Sequence, residues 1–123
     1  MTTIEQNMSM LKLLENCELA GVIFIMDYVQ FQFEGVNCTR WLHAYTWPQV
    51  KIENSKFAFT QHGYRDALCA LINKHVMFAD ETKEELFIRF EGDMVLTISL
   101  KDEDRECVEA AMLQAGLECE VWR

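Results

Sequence analysis

Between Leu19 and Pro48 the sequence LAGVIFIMDYVQFQFEGVNCTRWLHAYTWP leaves little freedom of fold. Val29, Phe31 and Phe33 alternate with Gln30, Gln32 and Glu34, the two-residue period of a strand with one dry and one wet face. Before it, Val22-Ile23-Phe24-Ile25-Met26 is a short β-branched and aromatic run bounded by Gly21 and Asp27. After it, Glu34-Gly35 punctuates and Trp41 to Trp47 resumes. Three adjacent antiparallel strands, a β-meander, is the economical reading.

Val76-Met77-Phe78 and Phe90-Glu91-Gly92, followed by alternating Met94, Leu96, Ile98 and Leu100, repeat that grammar. The sequence therefore predicts an internal meander duplication, 19–48 and 74–100. Val76 falls 54 residues after Val22 and Gly92 falls 57 after Gly35, which places a three-residue insertion near the acidic loop Asp80 to Glu85. The competing explanation is that Phe-Glu-Gly recurs because hairpins favour acidic and glycine residues after an apolar strand.

Between the meanders, Tyr64, Leu68, Leu71 and Ile72 draw one apolar stripe at helical spacing. Met8, Leu11 and Leu14 suggest a short N-terminal helix over Thr3 to Glu15. Phe57 and Phe59 permit a brief strand, Val108, Ala111 and Met112 a helical turn, and Leu117, Cys119 and Val121 a closing strand. The expected fold class is α+β: a six-stranded antiparallel sheet, curled into a half-barrel from two meanders, packed on one central helix. At 123 residues, half of them hydrophobic, residues 1–123 are expected to form a single domain.

The net charge of −9 opposes nucleic-acid binding, which needs Lys and Arg against phosphates, and favours a basic partner. Cys17, Cys38, Cys69, Cys107 and Cys119 are odd in number and lack C-x-x-C spacing, so they read as reduced thiols. The first residues lack a basic start and apolar run, and no segment reaches the ~20 apolar residues of a membrane span. The expectation is a cytoplasmic protein.

No catalytic signature stands out. Among His43, His62, His75, Cys38 and Cys69, only Cys38 and His43 have metal-ligand spacing, and no metal or cofactor is expected. Asp27, Asp66, Asp80 and Asp102 sit where aspartate serves turns and caps. The glycines are isolated and cradle no phosphate. What remains is surface: the acidic residues Asp80, Glu81, Glu84, Glu85, Asp102, Glu103, Asp104, Glu118 and Glu120, with Trp47 and Trp122 as candidate anchors for a partner. A second reading is a small-molecule-binding half-barrel with a pocket lined by Phe31, Phe33 and Trp41.

At Asp27 to Gly35, Tyr45-Thr46-Trp47-Pro48 and Gly63 to Ile72, the chain resembles a family of small bacterial proteins, some of which act as immunity partners of secreted toxins, including contact-dependent growth-inhibition systems. The resemblance implies a non-enzymatic cytosolic protein that binds and neutralises a cognate toxin domain, often a nuclease, by stoichiometric association. It carries over no functional residues, because immunity surfaces diverge with their toxins.

Overall fold

The computed structural model describes residues 8–123. Ten strands build it: β1 (Glu18–Phe24), β2 (Val29–Gly35), β3 (Cys38–Ala44), β4 (Gln49–Ile52), β5 (Ser55–Phe57), β6 (Val76–Glu81), β7 (Glu85–Phe90), β8 (Met94–Ser99), β9 (Ala111–Ala115) and β10 (Glu118–Trp122). One α-helix, α1 (Tyr64–Cys69), and two 3-10 turns, Met10–Leu14 and Asp102–Asp104, complete the described chain.

All strand pairs are antiparallel, and they form two five-stranded sheets with the orders β1-β2-β3-β9-β10 and β5-β4-β8-β7-β6. Both expected meanders are present, β1-β2-β3 and β6-β7-β8. They lie in different sheets, however, and each sheet is completed by a hairpin from the other half of the chain. The expected single curled sheet around a central helix is thus replaced by two sheets sharing one core. The reason is local: Val50 pairs with Leu96 and Leu113 with Leu42, so Gln49–Ile52, for which no element was expected, and Ala111–Ala115, expected to start as a helical turn, are both strands. The helical stripe is real but brief. Tyr64, Leu68 and Leu71 are buried, whereas Ile72 is exposed, and six residues of α-helix cover little sheet.

Period-two burial builds the core. Val29, Phe31 and Phe33 of β2 and Leu86, Ile88 and Phe90 of β7 point inward, and Phe33 stacks on Phe90 at 6.4 Å between centroids, tying the sheets together. Each fully buried aliphatic or aromatic side chain contributes roughly 1.5–3 kcal/mol. Of the expected N-terminal helix, residues 3–7 lie outside the described residues. The rest is a 3-10 turn, capped by the Ser9 hydroxyl, which accepts from the Leu11 amide at 3.0 Å.

The pairing has a two-fold symmetry of topology. Raising every strand of the first half by five converts one sheet order into the other. The correspondence extends to single bonds. Leu19 N–H donates to Lys74 O at 3.0 Å and Val76 N–H to Cys17 O at 2.8 Å, while Asn16 N–H donates to Val76 O and Asn73 N–H to Leu19 O. Each bond maps onto its mate by a shift of 57 residues, with the Glu18–His75 bridge at the centre. Both meanders also carry a bulge at the same place, between Leu19 and Gly21 and between Val76 and Phe78. By this pairing Val76 stands where Leu19 does, not where Val22 does. The three-residue difference falls in the β2-β3 hairpin, because Phe33 and Phe90 are equivalent whereas Leu42 corresponds to Leu96.

Candidate functional site

An open groove of about 910 Å³ lies where the two crossovers between sheets meet. Tyr45–Pro48 carries the chain from β3 to β4, and Leu100–Ala110 carries it from β8 to β9. The two are joined at the Ala110 carbonyl, which accepts from both the Tyr45 and Thr46 amides at 2.9 and 3.1 Å. Elements of both halves line the groove: Met26 and Asp27 from the β1-β2 turn, Glu84 and Glu85 from the β6-β7 turn, and Lys101, Asp104 and Glu106 from the second crossover.

One wall is aromatic. Trp47 lies flat on Phe59, with centroids 4.3 Å apart and planes 5° from parallel, and Phe59 meets Tyr64 edge-on at 6.0 Å. The Tyr64 hydroxyl donates to the Pro48 carbonyl, so α1 fixes the position of the first crossover. Burial in this low-dielectric setting pushes the Tyr64 phenol well above its ordinary value of 10.0. Pro48 offers no amide donor, which suits a residue leaving one sheet for the other.

Much of the remaining lining is acidic. Asp27, Glu84, Glu85, Asp104 and Glu106 face the groove with Lys101 as the one cation lining it. The Thr82 hydroxyl accepts from the Glu84 and Glu85 amides at 3.1 and 3.2 Å, which fixes that turn. Asp104 is held by the Ser99 hydroxyl, and Arg105 folds the crossover by donating to Val108 O at 2.7 Å and pairing with Asp102. At the floor, Thr46 is 6% exposed and its hydroxyl has no hydrogen-bond partner among the described residues.

The sequence candidates divide accordingly. Trp47, Glu84, Glu85 and Asp104 converge on the groove; Asp102 and Glu103 lie in the exposed turn beside it. Glu118 and Glu120 sit apart on β10, at an edge of the first sheet. Asp80 is engaged by Lys12 at 3.6 Å. Glu81 and Trp122 bind each other, and Trp122, 7% exposed, is a core residue rather than a surface anchor. Thr46 and Phe59 also line the groove; each belongs to a strand-like alternation, Leu42-Ala44-Thr46 and Phe57-Phe59, which marks a strand and not a site, and Glu106 belongs to the acidic run that follows β8.

Phe31 and Phe33 are 0% exposed, and Trp41 alternates with buried Leu42 on the other face of β3, so these three line no common pocket. Both His43 ring nitrogens are buried between Tyr28 and Tyr45, and among the described residues neither has a hydrogen-bond partner. Burial and, after it, the neighbouring Tyr28 raise the Tyr45 phenol. Among the described residues no group of three His, Cys, Asp or Glu side chains is arranged to hold a metal ion, and no helix is long and apolar enough to cross a membrane. The chain matches no known protein family, no curated protein and no solved structure.

Proposed function

We propose that this chain is an immunity protein which binds a basic toxin domain, a nuclease, in stoichiometric complex and holds it through the groove at the crossovers. The observation that carries the reading is that the Trp47–Phe59 stack shares the lining of one groove with five carboxylates and a single lysine. An Arg or Lys of the partner entering there would meet an aromatic face, worth ~0.5–2 kcal/mol, and carboxylates able to accept charge-assisted hydrogen bonds. The net charge of −9 steers a basic partner from a distance, and the aromatic wall slows its release. A nuclease surface that recognises phosphates is basic for the same reason, so an acidic plug on it competes with the substrate. The resemblance of Asp27 to Gly35 and Gly63 to Ile72 to bacterial immunity proteins points the same way.

Co-expression with the product of the adjacent toxin gene, followed by co-purification, tests the reading. A one-to-one complex that weakens as salt rises, and that Trp47→Ala combined with Glu84→Lys and Glu85→Lys disrupts, is expected. Absence of a complex at micromolar concentration sinks it.

A further inference from the structure

At the end of the first sheet, away from the groove residues, two thiols meet over a residue that has no side chain. Glu18 faces Glu34 and Leu19 faces Phe33, so Cys17, one residue earlier, comes level with Gly35; Gly35 in turn faces Cys38 on β3. A Cβ on Gly35 would lie 3.1 Å from Cys17 Sγ, 3.1 Å from Cys38 Sγ and 2.9 Å from Arg40 Nη1. The sulfurs are therefore no farther apart than twice 3.1 Å. Arg40 Nη1 donates to Cys17 Sγ at 3.3 Å, its Nε is buried without a partner, and no carboxylate pairs with it among the described residues. Cys17 Sγ in turn donates to Leu13 O at 3.6 Å.

A disulfide does not fit this arrangement. Cys17 and Cys38 flank β2 on either side, and two strand spacings put their Cα atoms ~9–10 Å apart, beyond the ~7 Å that a disulfide spans. An ion between the sulfurs has no such limit. Two metal–thiolate bonds of ~2.3 Å in line need sulfurs ~4.6 Å apart, inside the bound set by Gly35.

We propose that Cys17 and Cys38 form a two-coordinate site for a soft monovalent cation of the Cu(I) and Ag(I) class. Thiolate sulfur selects soft ions, and zinc would require further ligands that do not join this pair among the described residues. Charge closes as well: two thiolates, one monovalent ion and the Arg40 guanidinium sum to zero. Binding forms two metal–sulfur bonds and releases the two thiol protons to solvent. Cys17 is 2% exposed and Cys38 half-buried, so the ion enters past Cys38. Gly35 keeps the space open, and Arg40 is a positioning residue that holds Cys17 Sγ and balances the charge of the bound pair.

The test removes the exposed thiols first, as Cys69→Ser, Cys107→Ser and Cys119→Ser together, and titrates that full-length variant anaerobically with Ag(I) in nitrate buffer. One ion per chain, two protons released and a raised melting temperature are expected. Adding Cys38→Ser, at a half-buried position where folding is easily verified by circular dichroism, abolishes all three. Arg40→Gln weakens binding ~10–100-fold whereas Arg40→Lys, which keeps the charge, restores most of it, a rescue that lost packing alone would not produce. Failure of the triple variant to hold one Ag(I), or retention of the ion after Cys38→Ser, overturns the proposal.

Discussion

The indole N–H of Trp122 donates to Glu81 Oε1 at 3.1 Å, joining the last strand of one sheet to an edge strand of the other. The same carboxylate oxygen accepts the Ser9 hydroxyl, so a single acidic side chain gathers the N-terminal turn, β6 and β10. Trp122→Phe keeps most of the ring but removes the donor, and should cost about 1–2 kcal/mol; Trp122→Ala should cost about 3–5 kcal/mol by opening a cavity as well. Urea unfolding of both variants measures this. A Trp122→Phe protein as stable as the parent would show that the bond contributes nothing.

Tyr64 gives a prediction with a sign. Its phenol is raised by burial, so the folded state holds the proton more tightly than the unfolded state does. Such a group's contribution is fully present below the unfolded value of 10.0 and is lost as pH climbs above it. Stability should fall steeply above about pH 10, where Tyr45, raised in the same direction, adds to the loss. Tyr64→Phe should flatten that alkaline limb. It should also cost about 1–2 kcal/mol at neutral pH, because the Pro48 carbonyl loses its donor. Unfolding midpoints from pH 7 to 11 provide the check.

Asn16 and Asn73 occupy equivalent places around the topological two-fold, with φ of 71° and 76°. Asparagine tolerates the left-handed region better than residues with larger unpolar side chains do, and glycine tolerates it best. Asn16→Ala and Asn73→Ala should each destabilise by about 1 kcal/mol, and the two glycine variants by a few tenths or not at all. Equal costs at the two sites would support the proposal that the halves arose by duplication. Unequal costs, measured by denaturant titration, would weaken it.

The symmetry explains what was legible in the sequence. Strict alternation in Val29–Phe33 and Met94–Leu100 marks half-buried strands, and both meanders could be read from it. The deeper repeat was visible but lay elsewhere. Leu11 and Leu68, Leu14 and Leu71, Asn16 and Asn73 are each 57 residues apart, and the four leucines are all 0% exposed. Helical spacing in both segments obscured this correspondence, because a 3-10 turn and a short α-helix share a hydrophobic pattern. Val50 and Leu113 carried little strand signal, since β4 and β9 are short and polar residues interrupt them. Their exchange between sheets depends on long-range pairing that no local pattern encodes. The groove followed from that exchange, so Trp47 and Glu84 were recognisable as candidates while their convergence was not.

That convergence predicts a division of labour in partner binding. Glu84→Lys with Glu85→Lys changes long-range charge at the rim and should lower the association rate most at low salt. Trp47→Ala removes the stacked wall over Phe59 and should chiefly speed dissociation, by a factor of ~10 or more if the residue is an anchor. Surface plasmon resonance against the toxin domain separates the two. Equal effects of both changes on the off-rate would contradict electrostatic steering by this rim.

Glu91 shows the same separation of causes in a single carboxylate. Its Oε2 accepts the His75 amide at 3.0 Å and lies 3.3 Å from His75 Nδ1. The backbone bond first, and the imidazole bond second, hold its titration below the ordinary 4.5. A depressed carboxylate stabilises the fold above its unfolded value, and the contribution fades as pH falls through the folded one. His75→Ala deletes the ring but keeps the amide, so the larger part of the depression should survive. Carboxyl carbon shifts followed by NMR from pH 2 to 7 should place the Glu91 midpoint below 4.5 in the parent and only partway back in the variant. Full return to 4.5 would assign the effect to the imidazole instead and remove the backbone amide from the account.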